Sequence, residues 1–468
     1  MLPSSLKNVF SPVLQNLLDL LCDLIGPAYL VGGVLRDVLQ NNFLSNDLNL
    51  IVPLSLAECQ RRLHQGGFTD VVMGNRPNSL LLPLRRHENP KTVEIATYRH
   101  RPGVSPTVEE DLFHRDITVN AMAYKWPDGP LVDPFGGLQD LYQNRIRLVN
   151  GEQTLVEDPL RALRFFRFLL QLGANPAPQD LLLCQEMQLG SVSGDRVRAE
   201  LDQVFSLDLE EASSRSWINL LFSSRLGSGI LPELYLLRHR VVSDEKQPYS
   251  IWDFVFNALW SLDWPEREEE ISLLDFRWAL LLHALGWKEV ALPEESVPGP
   301  YPTQEQLFTS ETTASLVLER LRFSKRRARR IMTLIAQQNV PLTIGERFMR
   351  RLINQGLPLE SLLRFQKARL TALALVRPGF HKPARIAEDY RRALVRCQAS
   401  RRASSRFSPH DLALSGGDLL NMVRLPPGPW LGKLQGWLVD WISQDPGRNK
   451  KEPLENQVRM WIANKAPF

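Results

Sequence analysis

The sequence has few cysteines, and they lie far apart. Only four occur in 468 residues: Cys22, Cys59, Cys184 and Cys397. No two of them form a CxxC pair, and this spacing argues against a structural zinc site and against a disulfide framework. Such cysteine usage is typical of a reducing compartment, so we expect a cytoplasmic protein.

Long hydrophobic runs are also missing. No apolar segment of the sequence reaches the ~20 residues that a membrane-spanning helix needs. The N-terminus, MLPSSLKNVFSP, does not have the charged and then apolar pattern of a secretion signal. We therefore expect no membrane association. With 44% apolar and 23% charged residues, the composition is that of an ordinary globular protein.

A strong excess of either charge is lacking too. The 56 lysines and arginines are nearly balanced by 52 acidic residues, which gives a net charge of +4. Any surface that binds nucleic acid must therefore come from local clustering of basic residues. The length is sufficient for roughly two to four domains, each with its own core.

The stretch over residues 29–52, YLVGGVLRDVLQNNFLSNDLNLIV, carries the first candidate site. Its pattern predicts a strand, a Gly-Gly turn, a helix and a second strand. Gly32 and Gly33 have no Cβ, so backbone amides can approach a phosphate closely. Arg36 lies one turn into the predicted helix, next to Asp37, where it can pair with phosphate oxygens.

Asp47 and Asn49 lie two residues apart in the second predicted strand, so their side chains share one face. Oxygen ligands on one face can hold a metal ion against a phosphate. The GGxxRD motif followed by this strand resembles the head of the class II nucleotidyltransferases, the family of CCA-adding tRNA nucleotidyltransferases and bacterial poly(A) polymerases. That family has a DxD strand, whereas this chain has Asn49 at the second position.

The resemblance implies a catalytic set and a cofactor. The catalytic residues would be Asp47, Asn49 and Glu94, with Mg2+ held by Asp47 and Asn49. Glu94 lies in TVEIATYR, which alternates like a half-buried strand, and an ordinary exposed strand glutamate is the alternative interpretation. Residues 100–113 stand where family members have a longer flexible loop. The shortened segment is a feature of family enzymes that add only two C residues.

Two further motifs are similar to nucleotide-binding motifs of the family. In HRDITVNAMAY, residues 114–124, the resemblance assigns Arg115 and Asp116 to the ribose 2′-hydroxyl and Asn120 to the sugar and phosphates. In VEDPLRALRFFRFLLQLG, Asp158 and Arg161 are three apart at the start of a predicted helix and should project from one face. Their acceptors and donors can complement the edge of cytosine or adenine, which is the templating role that the resemblance implies. A capping carboxylate with an i, i+3 ion pair is the alternative.

Helical patterns dominate from there to the end. SGDRVRAELDQVF resembles the neck motif of the family, and we expect Arg196 and Glu200 to form an i, i+4 pair. A later segment resembles the family's metal-binding His-Asp body but reads His283 and Ala284, with Phe254 at the earlier histidine position. One histidine on an apolar face cannot hold a catalytic metal, so we expect a structural core there.

The most basic run is ERLRFSKRRARRI, residues 319–331. A solvated helix face usually explains such a run. On a protein that acts on RNA it predicts a phosphate-positioning surface, formed by Arg322, Lys325, Arg326, Arg327 and Arg330. Arginines over 391–406 extend this set. The C-terminal LSGGDLLNMVRLPPGPW, followed by Asn449, resembles the family's tRNA-gripping tail, with Asp418 and Gly428 at the expected places.

Together these patterns predict an α+β protein: a nucleotidyltransferase head with a small mixed or antiparallel sheet, then an all-helical neck, body and tail. The predicted parts are an N-terminal helix that packs on the head (1–24), the head (25–148), a neck with the templating helix (149–206), a helical body with a degenerate HD-like site (207–345) and a tRNA-binding tail (346–468).

The resemblance implies a template-independent enzyme that adds CCA, or part of it, to tRNA 3′ ends from CTP and ATP. A CC-adding enzyme and a poly(A) polymerase are alternatives within the family. A tRNA-binding protein with a crippled active site is the alternative of another class, because Asn49 offers an oxygen but no charge to a metal.

Overall fold

The computed structural model describes residues 6–41, 47–74, 78–84, 90–190, 192–208, 211–242, 248–264, 270–287, 302–379, 382–404 and 407–464. The segment 42–46 of the first candidate stretch therefore lies outside the described residues. Internal contacts divide the chain into two compact units, Met1–Pro232 and Glu233–Phe468. The finer division into five parts stays a prediction.

A seven-stranded sheet forms the centre of the first unit. Its strands are β1 (Tyr29–Val31), β2 (Asp47–Val52), β3 (Val72–Met73), β4 (Ser79–Pro83), β5 (Thr92–Thr97), β6 (Ala123–Lys125) and β7 (Leu131–Val132). They lie in the order β3-β4-β5-β2-β1-β6-β7. β2 and β5 are parallel, whereas the other neighbouring pairs are antiparallel, so the sheet is mixed.

Helices surround this sheet and continue beyond it. They are α1 (Pro12–Ile25), α2 (Gly33–Asn41), α3 (Leu56–Gln65), α4 (Val108–Phe113), α5 (Gly137–Tyr142), α6 (Glu152–Glu157), α7 (Arg161–Leu172), α8 (Pro178–Glu186), α9 (Gly194–Ser206), α10 (Ala212–Ser223) and α11 (Arg225–Ile230). A short parallel pair, β8 (Arg145–Ile146) and β9 (Asn175–Pro176), lies among them.

Helix α1 packs within the first unit, where it contacts α3. It begins at Pro12, because proline suits the first helical position and the Ser11 hydroxyl accepts a hydrogen bond from the Leu14 amide at 3.3 Å. Its apolar face is buried, with Leu14, Leu18, Leu21 and Ile25 at 0–1% exposure. On its flank, Asp19 accepts a hydrogen bond from the Trp126 indole at 2.6 Å.

The two faces of the sheet carry different kinds of residue. Leu48, Leu50, Val93 and Ile95 alternate onto one face, where they are buried. The other face carries Ile51, which forms an apolar cluster with residues of β1, β6 and α4, among them Val31, Ala123, Val108 and Leu112. Asp47 and Asn49 share this second face further along β2. Helix α4 is thereby seated on the face that carries the polar strand residues.

From Pro232 onward the described chain is almost entirely helical. Its elements are α12 (Pro232–Tyr235), a hairpin of β10 (Val241–Val242) and β11 (Tyr249–Ser250), α13 (Ile251–Trp260), α14 (Leu273–Leu282), α15 (Gln304–Arg320), α16 (Lys325–Ala336), α17 (Glu346–Asn354), α18 (Leu359–Val376), α19 (Pro383–Ser404), α20 (Gly416–Val423), α21 (Pro429–Gln444) and α22 (Lys451–Asn464). A mixed sheet with helices, followed by a helical half, confirms the predicted α+β class. Within the described residues, no helix is long and apolar enough to span a bilayer.

Candidate active site

Three oxygen-bearing side chains stand together on β2 and β5. Asn49 is paired with Glu94 in the parallel register, and Asp47 is paired with Thr92. Paired residues of neighbouring strands point to the same side of the sheet, so Asp47, Asn49 and Glu94 share one face. Thr92 donates its hydroxyl to Asp47 Oδ1 at 2.6 Å, and Ser79 donates to Glu94 Oε1 at 2.8 Å. The predicted shared face is therefore present.

Asn49 has the most distinctive atom of this group. Its Oδ1 is buried and has no hydrogen-bond partner among the described residues. A buried amide oxygen without a donor is unfavourable, and a cation would satisfy it. No group of three or more His, Cys, Asp and Glu side chains suited to a metal occurs in the described part of the chain. The candidate ligands are therefore the carboxylates of Asp47 and Glu94 and the amide oxygen of Asn49. An all-oxygen set of this kind fits a hard divalent cation.

The glycine turn lies beside these oxygens. Gly32 has φ +74°, and a Cβ there would lie 3.3 Å from Nη1 of Arg115 and 4.0 Å from Nδ2 of Asn49. A side chain at position 32 would therefore be strained and would crowd the arginine. Gly33 begins α2, and Nη2 of Arg36 lies 3.6 Å from where its Cβ would be. Two guanidinium groups thus flank a turn that has no side chains.

Asn120 joins the predicted nucleotide residues to one another. Its Oδ1 accepts a hydrogen bond from Nη1 of Arg36 at 2.9 Å, and its backbone oxygen accepts one from Nη1 of Arg115 at 3.5 Å. Its amide donates to Asp116 Oδ1 at 3.5 Å. Asp37 Oδ1 accepts from Nε and Nη2 of Arg36 at 2.9 and 2.6 Å, so it orients this arginine. The structure brings these five predicted residues together.

Asp116 is held by a residue that the sequence patterns did not single out. Arg164, on α7, donates to Asp116 Oδ2 from Nε at 2.9 Å and from Nη2 at 2.5 Å. Burial alone would raise the pKa of Asp116, but Arg164 and the Ile117 amide bring that pKa well below its ordinary value. Arg164 lies three residues after Arg161, about one helical turn, so the two share a helix face. This spacing was the sequence signal that Arg164 could also reach the site. The aspartate is therefore a fixed anion.

The expected arrangement of Asp158 and Arg161 is wrong in its geometry. Helix α7 begins at Arg161, and Asp158 precedes it in an extended conformation after α6. The two side chains have separate partners: Asp158 Oδ2 accepts from Arg196 at 2.7 Å, whereas Arg161 donates to Glu157, to Thr154 O and to His114 O at 2.8–3.0 Å. They do not share a helix face, because Asp158 has an extended backbone and lies before the first turn of α7.

The expected pair between Arg196 and Glu200 is also wrong. Arg196 binds Asp158, and Glu200 accepts a hydrogen bond from Nε of Arg167 at 2.8 Å. Glu200 is 7% exposed and Arg167 is 8% exposed, so this ion pair is internal. Both contacts connect α9 to the segment around α7. Glu200 therefore pairs with the buried Arg167 of the neighbouring helix α7 instead of with Arg196, four residues before it in sequence.

The degenerate HD-like position in the second unit is an apolar core. His283 is fully buried, and its Nδ1 lies 2.7 Å from Leu280 O. The rings of Phe254, Phe365 and Trp287 surround it at 5.3–6.2 Å between centroids. Burial lowers the pKa of His283 well below its ordinary value, with a further lowering by Arg369. This geometry agrees with a structural role.

The His283 environment predicts a pH-dependent stability. The folded protein keeps His283 neutral, whereas the unfolded chain protonates it below a pKa of about 6.5, so stability falls as the pH drops through that value. Between pH 7 and pH 5 this histidine should account for a loss of about 2 kcal/mol. Thermal unfolding of His283→Phe should show a correspondingly weaker pH dependence. His239→Gln, at an exposed histidine, should keep the wild-type dependence.

The basic run divides between internal and external contacts. Arg327 donates to the buried Asp275 at 2.8 Å, and Arg330 lies 3.7 Å from the same carboxylate. These two predicted RNA-binding residues are therefore committed to the unit's own packing. Arg322, Lys325 and Arg326 are exposed. Lys325 and Arg326 also stand in the first turn of α16, where the helix dipole makes cations unfavourable.

The tail residues that resemble the family pattern have structural contacts. Asp418 forms a capping box with Ser415 at the start of α20. Asn449 accepts a hydrogen bond from the Ala413 amide at 2.8 Å and donates to Asp411 O at 2.7 Å. Gly428 precedes Pro429 at the start of α21. These contacts show that the residues stabilise the local fold of the tail. A direct role in binding RNA stays a prediction.

Part of this chain is similar in sequence to known proteins. Residues 28–147 match the family described as the poly(A) polymerase head domain. The CCA-adding enzyme of Bacillus subtilis (strain 168) is 30% identical over 236 residues, which are 47% of this chain and 56% of that protein. The multifunctional CCA protein of Xanthomonas campestris pv. campestris (strain B100) is 32% identical over 227 residues, 44% of this chain and 51% of that protein. The chain thus matches little more than half the length of these relatives.

Solved structures extend the likeness of fold to both units. The Bacillus stearothermophilus CCA-adding enzyme in complex with CTP has a TM-score of 0.62 at 20% identity, covering 97% of this chain and 99% of that one. The Thermotoga maritima CCA-adding enzyme complexed with tRNA has a TM-score of 0.55 at 18% identity, covering 98% and 97%. At these identities the likeness shows a common fold.

Proposed function

We propose that this chain is a tRNA nucleotidyltransferase, because residues 28–147 match the poly(A) polymerase head domain and the chain is similar in fold to CCA-adding enzymes. It adds CCA, or part of it, to tRNA 3′ ends from CTP and ATP without a nucleic-acid template. The observation that supports this most is the common face of Asp47, Asn49 and Glu94 beside the Gly32 turn. The proposed setting is cytoplasmic, in keeping with four free cysteines.

Each part of the site has a proposed role. The carboxylates of Asp47 and Glu94 and the amide oxygen of Asn49 would hold Mg2+, which would supply Lewis-acid stabilisation of the charge that develops on the α-phosphate. The Gly32 turn receives the triphosphate, and Arg36 neutralises its oxygens. Because Nη1 of Arg115 also lies at this turn, we propose a phosphate contact for Arg115 in place of the ribose contact that its motif implies. These two arginines already point to the turn and are braced by Asp37 and Asn120, so their side chains lose little conformational freedom on binding.

The sugar and base have separate proposed contacts. Asp116 and Asn120 are placed for the ribose, with Asp116 kept anionic by Arg164. Asp158 and Arg161 recognise the base edge. They now bind Arg196 and Glu157, respectively, so recognition requires each to exchange a protein partner for the base. Both exchanged contacts lie near the surface, where ion pairs contribute little.

A second candidate function rests on Asn49. A neutral amide does not offset the charge of a metal as a carboxylate does, so the second candidate is a tRNA-binding protein that lacks efficient transfer. The internal bracing of Arg36, Asp116 and Arg164 favours the enzyme, because a binding module for RNA has no need of an ordered nucleotide pocket. The amide oxygen also remains available as a ligand.

The product of the reaction separates the alternatives within the family. Purified protein is incubated with Mg2+ and tRNA transcripts that end before the CCA, after C and after CC, with labelled CTP or labelled ATP. Full CCA addition predicts CMP on the first two transcripts and a single AMP on the third. CMP on the first two with no AMP on the third identifies a CC-adding enzyme. Long AMP tails on all three identify a poly(A) polymerase.

If the exposed basic residues contact tRNA phosphates, the affinity for tRNA should fall as the salt concentration rises. Arg322, Lys325 and Arg326 present cations that can contact phosphates. Replacing Lys325 and Arg326 together by Gln should weaken tRNA binding about equally for all three transcripts and reduce the slope of log K against log salt by about 2. Arg61→Gln, at an exposed arginine of α3 that pairs with Glu58, serves as the control and should leave the slope unchanged.

A further inference from the structure

Two consecutive acidic residues of α4 are buried, and neither belongs to the predicted site. Glu110 is 7% exposed and Asp111 is 1% exposed. Successive residues of a helix are about 100° apart, so the two carboxylates point in different directions. The helix is fixed by Thr107, whose hydroxyl accepts from the Glu110 amide at 3.2 Å, and by the packing of Val108 and Leu112 against the sheet. Each carboxylate is thus held in place by the fold.

Asp111 connects the end of β5 to the glycine turn. Its Oδ1 accepts from the backbone amide and Nε of Arg99 at 3.1 and 2.9 Å. Its Oδ2 accepts from Nε and Nη2 of Arg115 at 3.2 and 2.9 Å. The remaining nitrogen of Arg115, Nη1, would lie 3.3 Å from a Cβ at Gly32. Asp111 therefore fixes the guanidinium plane and leaves one edge toward the turn.

Glu110 reaches the other side of the site through a histidine. It accepts from the backbone and side chain of Arg101 at 2.7–3.0 Å. Its Oε1 also lies 3.6 Å from the buried Nε2 of His114, which makes no hydrogen bond among the described residues, so Glu110 bears on the histidine through packing and charge. Nδ1 of His114 lies 3.2 Å from Glu157 Oε1, and Glu157 Oε2 accepts from Arg161 at 3.0 Å.

Arg161 is also bound to the backbone of that histidine. Its Nη2 donates to His114 O at 2.8 Å. The imidazole and the carbonyl of one residue therefore both bear on the position of Arg161, one through Glu157 and one directly. When Arg161 exchanges Glu157 for the base, its direct contact with His114 O is the one that remains.

We propose that Glu110 and Asp111 are positioning residues that order two different arginines of the nucleotide site: Asp111 orders Arg115 on the side of the phosphates, and Glu110, through His114, orders Arg161 on the side of the base. The inference rests on the proposed function. It gives helix α4, the segment before His114, the role of orienting these two arginines. One short helix sets both triphosphate binding and base selection, but through separate contacts.

The two contacts have separable consequences. All nucleoside triphosphates share their phosphates, so Asp111→Asn should raise the KM and the Kd for CTP and ATP by the same factor, about tenfold for the loss of a charge-assisted hydrogen bond. Glu110→Gln loosens the contact to His114 and should instead change the ratio of kcat/KM for CTP to that for ATP by about tenfold. Glu110→Asp keeps a carboxylate and should restore part of this ratio.

The matched control is Asp140→Asn. Asp140 is also a fully buried carboxylate of the first unit, and it accepts from Arg145 and Arg147 at 2.7 and 2.8 Å. This variant should lower Tm as the other two do but leave KM, Kd and the nucleotide ratio within about twofold of wild type. Equal effects of Asp111→Asn and Asp140→Asn, or an unchanged ratio in Glu110→Gln, would overturn the proposal.

Equilibrium binding of CTP and ATP separates this inference from the proposed function. If wild type transfers nucleotides but both variants behave like the control, only the inference is wrong. If wild type binds nucleotides without transferring them, the Kd values still decide the inference. A wild-type protein that binds neither nucleotide contradicts both.

Discussion

Replacing Asp47 by asparagine is expected to lower the rate of CMP transfer to tRNA by about 10³-fold, in line with the loss of several kcal/mol of Lewis-acid stabilisation. β2 would then present two neutral amides, and Glu94 would be the remaining anion of the proposed ligand set. Asp47 is exposed and the change is nearly isosteric, so Tm should stay close to that of wild type. Single-turnover transfer in the presence of Mg2+ is the measurement.

Thr92→Val is the control for this variant. It removes the hydroxyl that donates to Asp47 at 2.6 Å but keeps the carboxylate. We expect a loss of about tenfold or less, the scale of one hydrogen bond to a charged group. If Asp47→Asn and Thr92→Val lose the same amount, the role of Asp47 is to fix strand geometry and the proposed metal ligand is elsewhere.

Replacing Arg161 by alanine should lower kcat/KM for the preferred nucleotide by about 100-fold and reduce the discrimination between CTP and ATP. The physical reason is that two charge-assisted hydrogen bonds to the base edge are lost at once. Arg161→Lys keeps the charge but lacks the planar fork, so it should recover little. The measurement is steady-state transfer with each nucleotide on transcripts ending before the CCA and after CC.

Arg161 also supports its own surroundings, so stability must be measured beside activity. It donates to Thr154 O and His114 O, and its removal should lower Tm. Arg145→Ala, which breaks an arginine contact to the buried Asp140, is the matched control and should lower Tm without altering discrimination. A discrimination that is unchanged in Arg161→Ala would contradict the proposed recognition of the base.

The sheet and its polar face could be predicted from the sequence because both follow from a period of two. Once Asp47 and Asn49 are placed in one strand, their common face is fixed by backbone geometry. The glycine turn follows for a similar reason, since a positive φ at residue 32 suits glycine alone. The apolar surroundings of His283 were foreseeable from the absence of a neighbouring carboxylate in the sequence.

The partners of the charged side chains could not be predicted in this way. Asp158 was expected to share a helix with Arg161, but Pro159 separates it from α7 and Arg196 binds it. Arg164 and Asp111 are ordinary residues of amphipathic segments in the sequence. The i, i+4 spacing of Asp111 and Arg115 is readable from the sequence. The contacts of Asp111 with Arg99 and of Arg164 with Asp116 join segments that only the fold brings within 3 Å, and single-sequence periodicity contains no information on them.

The central claim is that Asp47 and Asn49 still support transfer, and one measurement tests it most directly. Purified wild type and Asn49→Asp are mixed with Mg2+, labelled CTP or ATP and a tRNA that lacks its CCA, and the labelled tRNA formed in a single turnover is quantified. The account predicts that wild type incorporates CMP and that Asn49→Asp, with a second charge on β2, incorporates it faster. Strong incorporation by the variant with none by wild type would contradict the account and leave a tRNA-binding protein.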